Sequence, residues 1–285
     1  AMATALEEGS SISDIMLDTH CSLPNGGGAV IANALKINAT ITDVTFQGAC
    51  CDEPFCNTLA AVLLCNSTVQ NLTLELWKGA SGGRWLTSVF LALGMNTTLK
   101  HFTTNMFDEF GDELCAAITG GLAKNTTLEE VSLYDMFPSD DDGAVSARHA
   151  LSFLRTNSTL KSLTVSFVES QMESYVSGFR LEAVKMMQDN HFLESLTIET
   201  EYGGIQFEEL FALVSALQRD TTLKTFGFQS HESIYLSDDE VKQLVPILTK
   251  NYGLEHFVSD ISCADDRTIK AIMRLNSAGR RYLIE

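Results

Sequence analysis

Apolar residues recur along the chain in a fixed register behind a short polar turn. An Asn (once an Asp) is followed at its third position by an aliphatic residue, and this signature occurs eight times at spacings of 28 to 33 residues. The anchors are Asn38, Asn66, Asn96, Asn125, Asn157, Asn190, Asp220 and Asn251. Self-similarity at a period of this length is the signature of a repeat protein, in which each repeat is one supersecondary unit.

With the anchor counted as position 0, each repeat predicts a strand. Positions +6 and +8 are mostly aliphatic or aromatic, as in Val44 and Phe46 or Leu72 and Leu74. This alternation is the period of two that turns one face of a strand inward. The intervening +7 position predicts an exposed column of mostly small or hydroxyl residues: Thr45, Thr73, Thr103, Ser132, Thr164, Thr197, Gly227 and Val258.

The segment before each anchor predicts a helix. Positions −7, −4 and −3 are mostly apolar or small, as in Leu59, Val62 and Leu63, and this spacing forms one buried stripe on a helix. Two helix starts are marked by capping signals, one at Asp52 with Pro54 beside it and one in the capping box Ser237–Glu240.

The register predicts one continuous array. Residues 1–9 are expected to be a flexible N-terminus that begins with a sequence typical of a cloning remnant, Ala1-Met2-Ala3. Residues 10–285 are expected to form a single domain of about nine repeats, closed by a C-terminal cap. Parallel strands stack about 4.8 Å apart and helices about 8–10 Å apart. We therefore expect a curved α/β solenoid with a parallel β-sheet on its concave face and α-helices on its convex face.

These repeats resemble the leucine-rich repeat of the ribonuclease-inhibitor type over essentially the whole chain. The turn Asn96-Thr-Thr-Leu99 is also similar to repeats of tropomodulin and of Ran GTPase-activating protein. The chain departs from the family pattern after the strands, where the usual Asn is replaced by variable residues such as Gly48-Ala49 and Leu76-Trp77. The resemblance implies a horseshoe fold and a protein-binding habit, and it does not name a partner.

The net charge narrows the choice of partners. Nineteen Lys and Arg against 37 Asp and Glu give −18 at pH 7, which disfavours nucleic acid and anionic lipid. We therefore expect a basic protein partner, no membrane association and a monomer. No metal-ligand or cofactor motif is visible in the sequence, so we expect no cofactor. We expect the protein to be cytoplasmic.

Two residue types leave the compartment open. Cys50, Cys51, Cys56 and Cys65 lie close together in sequence, and we interpret them as small buried residues in a reducing compartment. Six N-glycosylation sequons favour the alternative of a secreted or surface recognition domain. Five of them coincide with repeat anchors, which explains them without a glycan. The sixth is Asn71, at position +5.

The candidate binding site is the exposed strand face with the loops that border it. The strand face offers Asp43, Glu75, His101, Asn105, Glu130, Tyr134, Glu199, Gln229, His256 and Asp260. A loop after the second anchored strand is expected to add Trp77, Arg84 and Trp85, residue types that dominate binding hot spots. No convergent catalytic set is visible, so the sequence favours a non-catalytic interaction module. The alternative is a GTPase activator with Arg84 as its arginine finger.

Overall fold

The fold is that of a computed structural model of the 285-residue chain. It describes residues 11–19, 26–48, 51–75, 82–105, 112–136, 151–167, 189–200, 207–217, 222–230, 234–251, 253–259 and 261–263. The chain divides into two compact units, Ala1–Leu160 and Lys161–Glu285. The predicted C-terminal cap lies outside the described residues.

The first unit contains five parallel strands that alternate with helices. Its strands are β1 (Asp14–Thr19), β2 (Asp43–Gly48), β3 (Asn71–Glu75), β4 (His101–Asn105) and β5 (Glu130–Met136). Its helices are α1 (Gly27–Ala34), α2 (Glu53–Leu63), α3 (Gly82–Leu93) and α4 (Asp112–Lys124), and a 3₁₀ helix spans Leu151–Arg155. The strands pair in chain order, with each repeat position opposite the same position of the next repeat.

The second unit follows the same scheme. Its strands β6 (Ser162–Phe167), β7 (Ser195–Thr200), β8 (Thr225–Ser230) and β10 (His256–Ser259) pair in parallel in that order. Helices α5 (Phe207–Leu217) and α6 (Asp238–Lys250) precede β8 and β10. A separate parallel pair, β9 (Ile234–Leu236) with β11 (Ile261–Cys263), was not predicted from the repeat pattern.

Within the units, the strands pack one face against the helices. The +6 and +8 residues of β2 to β4 are buried, and the residues between them are half-buried or exposed. Phe46 of β2 meets Phe55 of α2 edge to face at 4.7 Å between ring centroids, and Phe90 of α3 meets Phe102 of β4 at 5.5 Å. The predicted α/β pairing of an inward strand face with an apolar helix stripe is therefore confirmed for the described repeats.

The anchor asparagines are buried and use both ends of their amides. In Asn96, Oδ1 accepts from the backbone N–H groups of Thr98 and Leu99 at 3.0 and 2.7 Å, which closes the turn into the strand. Its Nδ2 donates to the carbonyl of Leu63, at the end of the helix in the preceding repeat, at 2.7 Å. Asn96 thus satisfies backbone groups of two repeats at once.

This pattern recurs along both units. Asn66, Asn125, Asn157 and Asn251 donate in the same way to Leu35, Leu93, Leu122 and Leu217, at 2.6 to 2.8 Å. The Thr at position +2 adds a weaker contact of 3.3 to 3.4 Å from its hydroxyl to the backbone carbonyl of the preceding anchor. The Asn-x-Thr motif therefore ties neighbouring repeats together.

The two predicted capping motifs are present. The Asp52 side chain accepts from the backbone N–H of Phe55 at 2.9 Å, with Pro54 in the first turn of α2. In the capping box of α6, Ser237 and Glu240 bond to each other's backbone N–H groups. Hydrogen bonds from Ser237 lower the pKa of Glu240, because they favour its charged form.

The edge strand β1 follows the repeat register, but its inward residues are less buried than those of β2 to β4. Ile15 and Leu17 pair with Val44 and Phe46 in the predicted register, but they are only half-buried. Ile12 stands at position +3 when the repeat register is extended back to Gly9, but it is 47% exposed. Among the described strands β1 has one neighbour in its sheet, so its inward face receives less cover than the faces of β2 to β4.

The backbones of two neighbouring helices approach each other closely at Gly121 of α4. A Cβ atom added there would stand 2.0 Å from the carbonyl oxygen of Phe90 in α3. A Cβ added to the adjacent Gly120 would meet nothing within 4 Å. Helix packing therefore requires glycine at position 121 but not at position 120, although the two residues are consecutive in the same helix.

We predict that Asn96→Ala lowers the free energy of unfolding by about 3 kcal/mol, because it leaves two buried N–H groups and one carbonyl without partners. Thr97→Ala, an exposed change in the same turn, is the control and should shift stability by less than about 0.5 kcal/mol. Denaturant titration followed by circular dichroism measures both. Equal effects of the two changes would contradict the role given to the amide.

We also predict opposite signs for two neighbouring alanine substitutions. Gly121→Ala should destabilise by about 2 kcal/mol or more, because the added methyl group collides with the α3 backbone. Gly120→Ala should stabilise by about 0.5–1 kcal/mol, because alanine loses less backbone entropy in a helix. Thermal unfolding of the pair is the measurement, and equal shifts of the same sign would refute the close approach.

Candidate functional site

In each unit, the strand face opposite the helices carries the +5, +7 and +9 residues, and we call it the open face. In the first unit its members are the +5, +7 and +9 residues of β1 to β5. The +5 row consists of Asp14, Asp43, Asn71, His101 and Glu130. Because the strands pair without slippage, these five side chains lie side by side on adjacent strands.

A continuous chain of polar contacts runs along this row. Nδ2 of Asn71 donates to Oδ1 of Asp43, and Oδ1 of Asn71 contacts Nδ1 of His101. On the other side of the ring, Nε2 of His101 lies 3.9 Å from Oε1 of Glu130. The predicted site residues Asp43, His101 and Glu130 are therefore brought together, and Asn71 joins them.

Asn71 was not among the predicted site residues. The sequence showed it only as a sequon that did not coincide with an anchor. Its position at +5, between Asp43 and His101 in the same column, was the signal that could have identified it.

At the β1 end of the row two carboxylates face each other. Asp14 and Asp43 are direct partners in the ladder, an arrangement that destabilises a sheet when both are charged. Each is contacted by the hydroxyl that precedes it, Ser13 for Asp14 and Thr42 for Asp43, at 2.5 Å. These hydroxyl donors and Asn71 partly compensate the carboxylates, which remain on the surface as acceptors.

The rest of the open face in the first unit is a hydroxyl column bordered by a second polar row. The +7 column begins with Met16 on β1, which is 63% exposed, and continues with four half-buried residues, Thr45, Thr73, Thr103 and Ser132. The +9 row contains Asp18, Gln47, Glu75, Asn105 and Tyr134, so the predicted residues Glu75, Asn105 and Tyr134 lie together.

The charge of this face has one sign. Over the fifteen +5, +7 and +9 positions of β1 to β5, the carboxylates are Asp14, Asp18, Asp43, Glu75 and Glu130, and no Lys or Arg is present. Lysine occurs one position earlier, at +4, where Lys100 pairs with Glu129 at 3.2 Å. The face is thus a negative surface with a neutral centre.

In the second unit the open face carries fewer charges. Glu199 and Gln229 are direct ladder partners on β7 and β8. His256 is exposed on β10, opposite Thr225. Asp260, which was predicted for this face, lies outside the described residues.

The aromatic and basic loop residues are placed differently from the prediction. Arg84 and Trp85 lie in the first turn of α3 and not in a loop, and Trp77 lies outside the described residues. Trp85 occupies the same repeat position, −11, as Phe55 and Leu114, which are both buried. Because this position faces the core at the start of each helix, Trp85 is half-buried, whereas Arg84 is exposed.

The anchor sequons are closed to modification in this fold. A glycan would be attached to the side-chain nitrogen of asparagine. In Asn66, Asn96, Asn125 and Asn157 that nitrogen donates to a buried carbonyl, and each of these residues is at most 7% exposed. The repeat pattern therefore accounts for these sequons.

The described cysteines differ in exposure. Cys51, Cys56, Cys65 and Cys115 are all thiols, of which Cys65 alone is exposed. Cys50 lies outside the described residues. Burial, assisted by the negative charge of Asp112, raises the pKa of the Cys115 thiol to about 12.

Two further searches concern other classes of site. Within the described residues, no group of three or more His, Cys, Asp or Glu side chains is arranged to hold a metal ion. None of the described helices combines the length and the apolar composition needed to cross a bilayer.

Comparisons with known proteins do not assign this chain to a family. No protein-family model matches the sequence, and no curated protein matches it. Among solved structures, the fold is weakly similar to leiomodin-1 actin-binding site 2, with a TM-score of 0.36 and 14% sequence identity. That match covers 66% of this chain and 86% of the other.

We predict that a maleimide reagent labels Cys65 in the native protein while Cys115 stays protected. Cys65 is exposed, whereas the Cys115 thiol is buried and protonated at neutral pH, and only the thiolate reacts. Mass spectrometry of proteolytic peptides after brief labelling measures each site, and labelling in denaturant is the control. Equal labelling of both sites in the native state would contradict this placement.

Proposed function

We propose that this chain is a non-catalytic protein-interaction module that binds a positively charged segment of another protein through the open face of its first unit. The observation that carries the proposal is the uniform charge of that face. It presents five carboxylates on adjacent strands with no Lys or Arg at the fifteen positions of the face.

The layout of the face supports the same function. A protein surface that binds a partner needs exposed groups held in fixed positions, and here the strand register fixes them. The half-buried hydroxyl column provides a neutral strip on which a partner backbone can form hydrogen bonds. The carboxylates on both sides attract a basic partner and orient it.

Several finer expectations from the sequence go beyond the fold and charge described above. The ribonuclease-inhibitor type of the repeats and a curved solenoid that runs through all of them remain predictions from the sequence. A cytoplasmic location, the absence of catalysis and the GTPase-activator alternative with Arg84 also remain predictions.

We predict that Glu75→Lys and, separately, Glu130→Lys each weaken partner binding at least about tenfold, because each places a like charge against the basic partner. The experiment compares the proteins that wild type and variants capture from an extract of the native cells, quantified by mass spectrometry. The captured proteins that depend on Glu75 and Glu130 should carry basic segments and be released by salt.

The control variant keeps the net charge matched. Ala61→Lys with Ala116→Lys adds two positive charges to exposed positions of α2 and α4, the same change as one Glu→Lys substitution. It should capture the same proteins as wild type. Unchanged capture by both glutamate variants would show that the open face of the first unit is not the binding surface.

A further inference from the structure

The polar row has a direction, which is set by Asp43. A carboxylate only accepts hydrogen bonds, so the amide group of Asn71 must turn its NH₂ toward Asp43, as it does in the structure. The carbonyl oxygen of Asn71 therefore points the other way, toward His101.

That carbonyl in turn selects the tautomer of His101. The Oδ1 atom of Asn71 can only accept, so the Nδ1 atom that contacts it must carry a hydrogen. In the neutral imidazole Nε2 then has a lone pair and no hydrogen. This lone pair lies 3.9 Å from Oε1 of Glu130, so two acceptors stand side by side.

The two acceptors are open to solvent. The side chain of His101 is 47% exposed and that of Glu130 is 61% exposed. A donor nitrogen at about 2.8 Å from both atoms would bridge the gap, since hydrogen bonds of charged donors have this length. A site with two acceptors and one missing donor is thus formed at the β5 end of the row.

We infer that the ammonium group of a lysine side chain on the partner binds between Nε2 of His101 and Oε1 of Glu130, an inference that rests on the proposed function. The ammonium group carries three hydrogens and can give one to each acceptor. A guanidinium presents a planar fork that matches the two oxygens of one carboxylate, whereas these acceptors belong to separate side chains.

The charged groups around the ring are Glu130 on β5 and, beyond Asn71, Asp43 on β2; Lys100 and Glu129, one position earlier along β4 and β5, pair with each other. The ammonium group of the partner therefore meets no competing Lys or Arg among these described neighbours.

The test uses a short peptide of alternating lysine and serine as the probe, titrated into the whole chain and followed by the backbone amide signals of β4 and β5 in NMR spectra. At about pH 7.5, His101→Ala should weaken the affinity about two- to fivefold, the change that one exposed contact to a charged group provides.

A matched control separates His101 from the other histidines. His256→Ala changes an exposed histidine at the same +5 position in the second unit, and it should keep the peptide affinity of wild type. An equal loss of affinity in His256→Ala, or wild-type affinity in His101→Ala, would overturn the inference.

The tautomer gives a second readout that does not need a variant. Long-range ¹H–¹⁵N NMR correlations of the imidazole should show the hydrogen of neutral His101 on Nδ1, and Asn71→Ala should shift it toward Nε2. A hydrogen on Nε2 in the wild type, or no binding of the peptide at about pH 7.5, would overturn the lysine site. Capture from extract that still depends on Glu75 would leave the proposed function standing.

Discussion

The structure depends on a buried asparagine amide that serves two repeats. Its oxygen holds the turn that leads into the strand, and its nitrogen holds the helix end of the preceding repeat. An isolated repeat could make only the first set of bonds. The second set forms only when repeats stack, so it stabilises the stacked array. The same amide fixes where each strand begins, and the strand register follows from it. Everything on the open face inherits its position from that register.

Much of the fold could be predicted from the sequence because its main signals are periodic. The spacing of Phe46 from its anchor placed it on a strand, and the capping signal at Asp52 and Pro54 marked the start of the helix that contains Phe55; the ring contact between them follows from packing. Position −11 was not used, so Arg84 and Trp85 were assigned to a loop although the repeat places them in a helix. The small pair β9 with β11 was missed because it lies outside the repeat pattern.

The candidate site could be predicted only as a surface. Asp43, His101 and Glu130 were predicted as members of one exposed strand face, because the repeat gives each residue a position on a strand. The contacts between them depend on amide orientation and ring geometry, which no spacing encodes. Asn71 shows this most clearly. Its sequon suggested a glycosylation site, whereas its position in the +5 row places its amide between Asp43 and His101.

The +4 positions of the second unit alternate in charge along successive strands: Lys161, Glu194, Lys224 and Glu255. Backbone hydrogen bonds join these segments in that order, and Lys224 meets Glu194 at 2.5 Å. Deleting one internal repeat would set like charges against each other, whereas deleting two would preserve the alternation. In these four strands the charge pattern therefore favours a change of repeat number by two over a change by one.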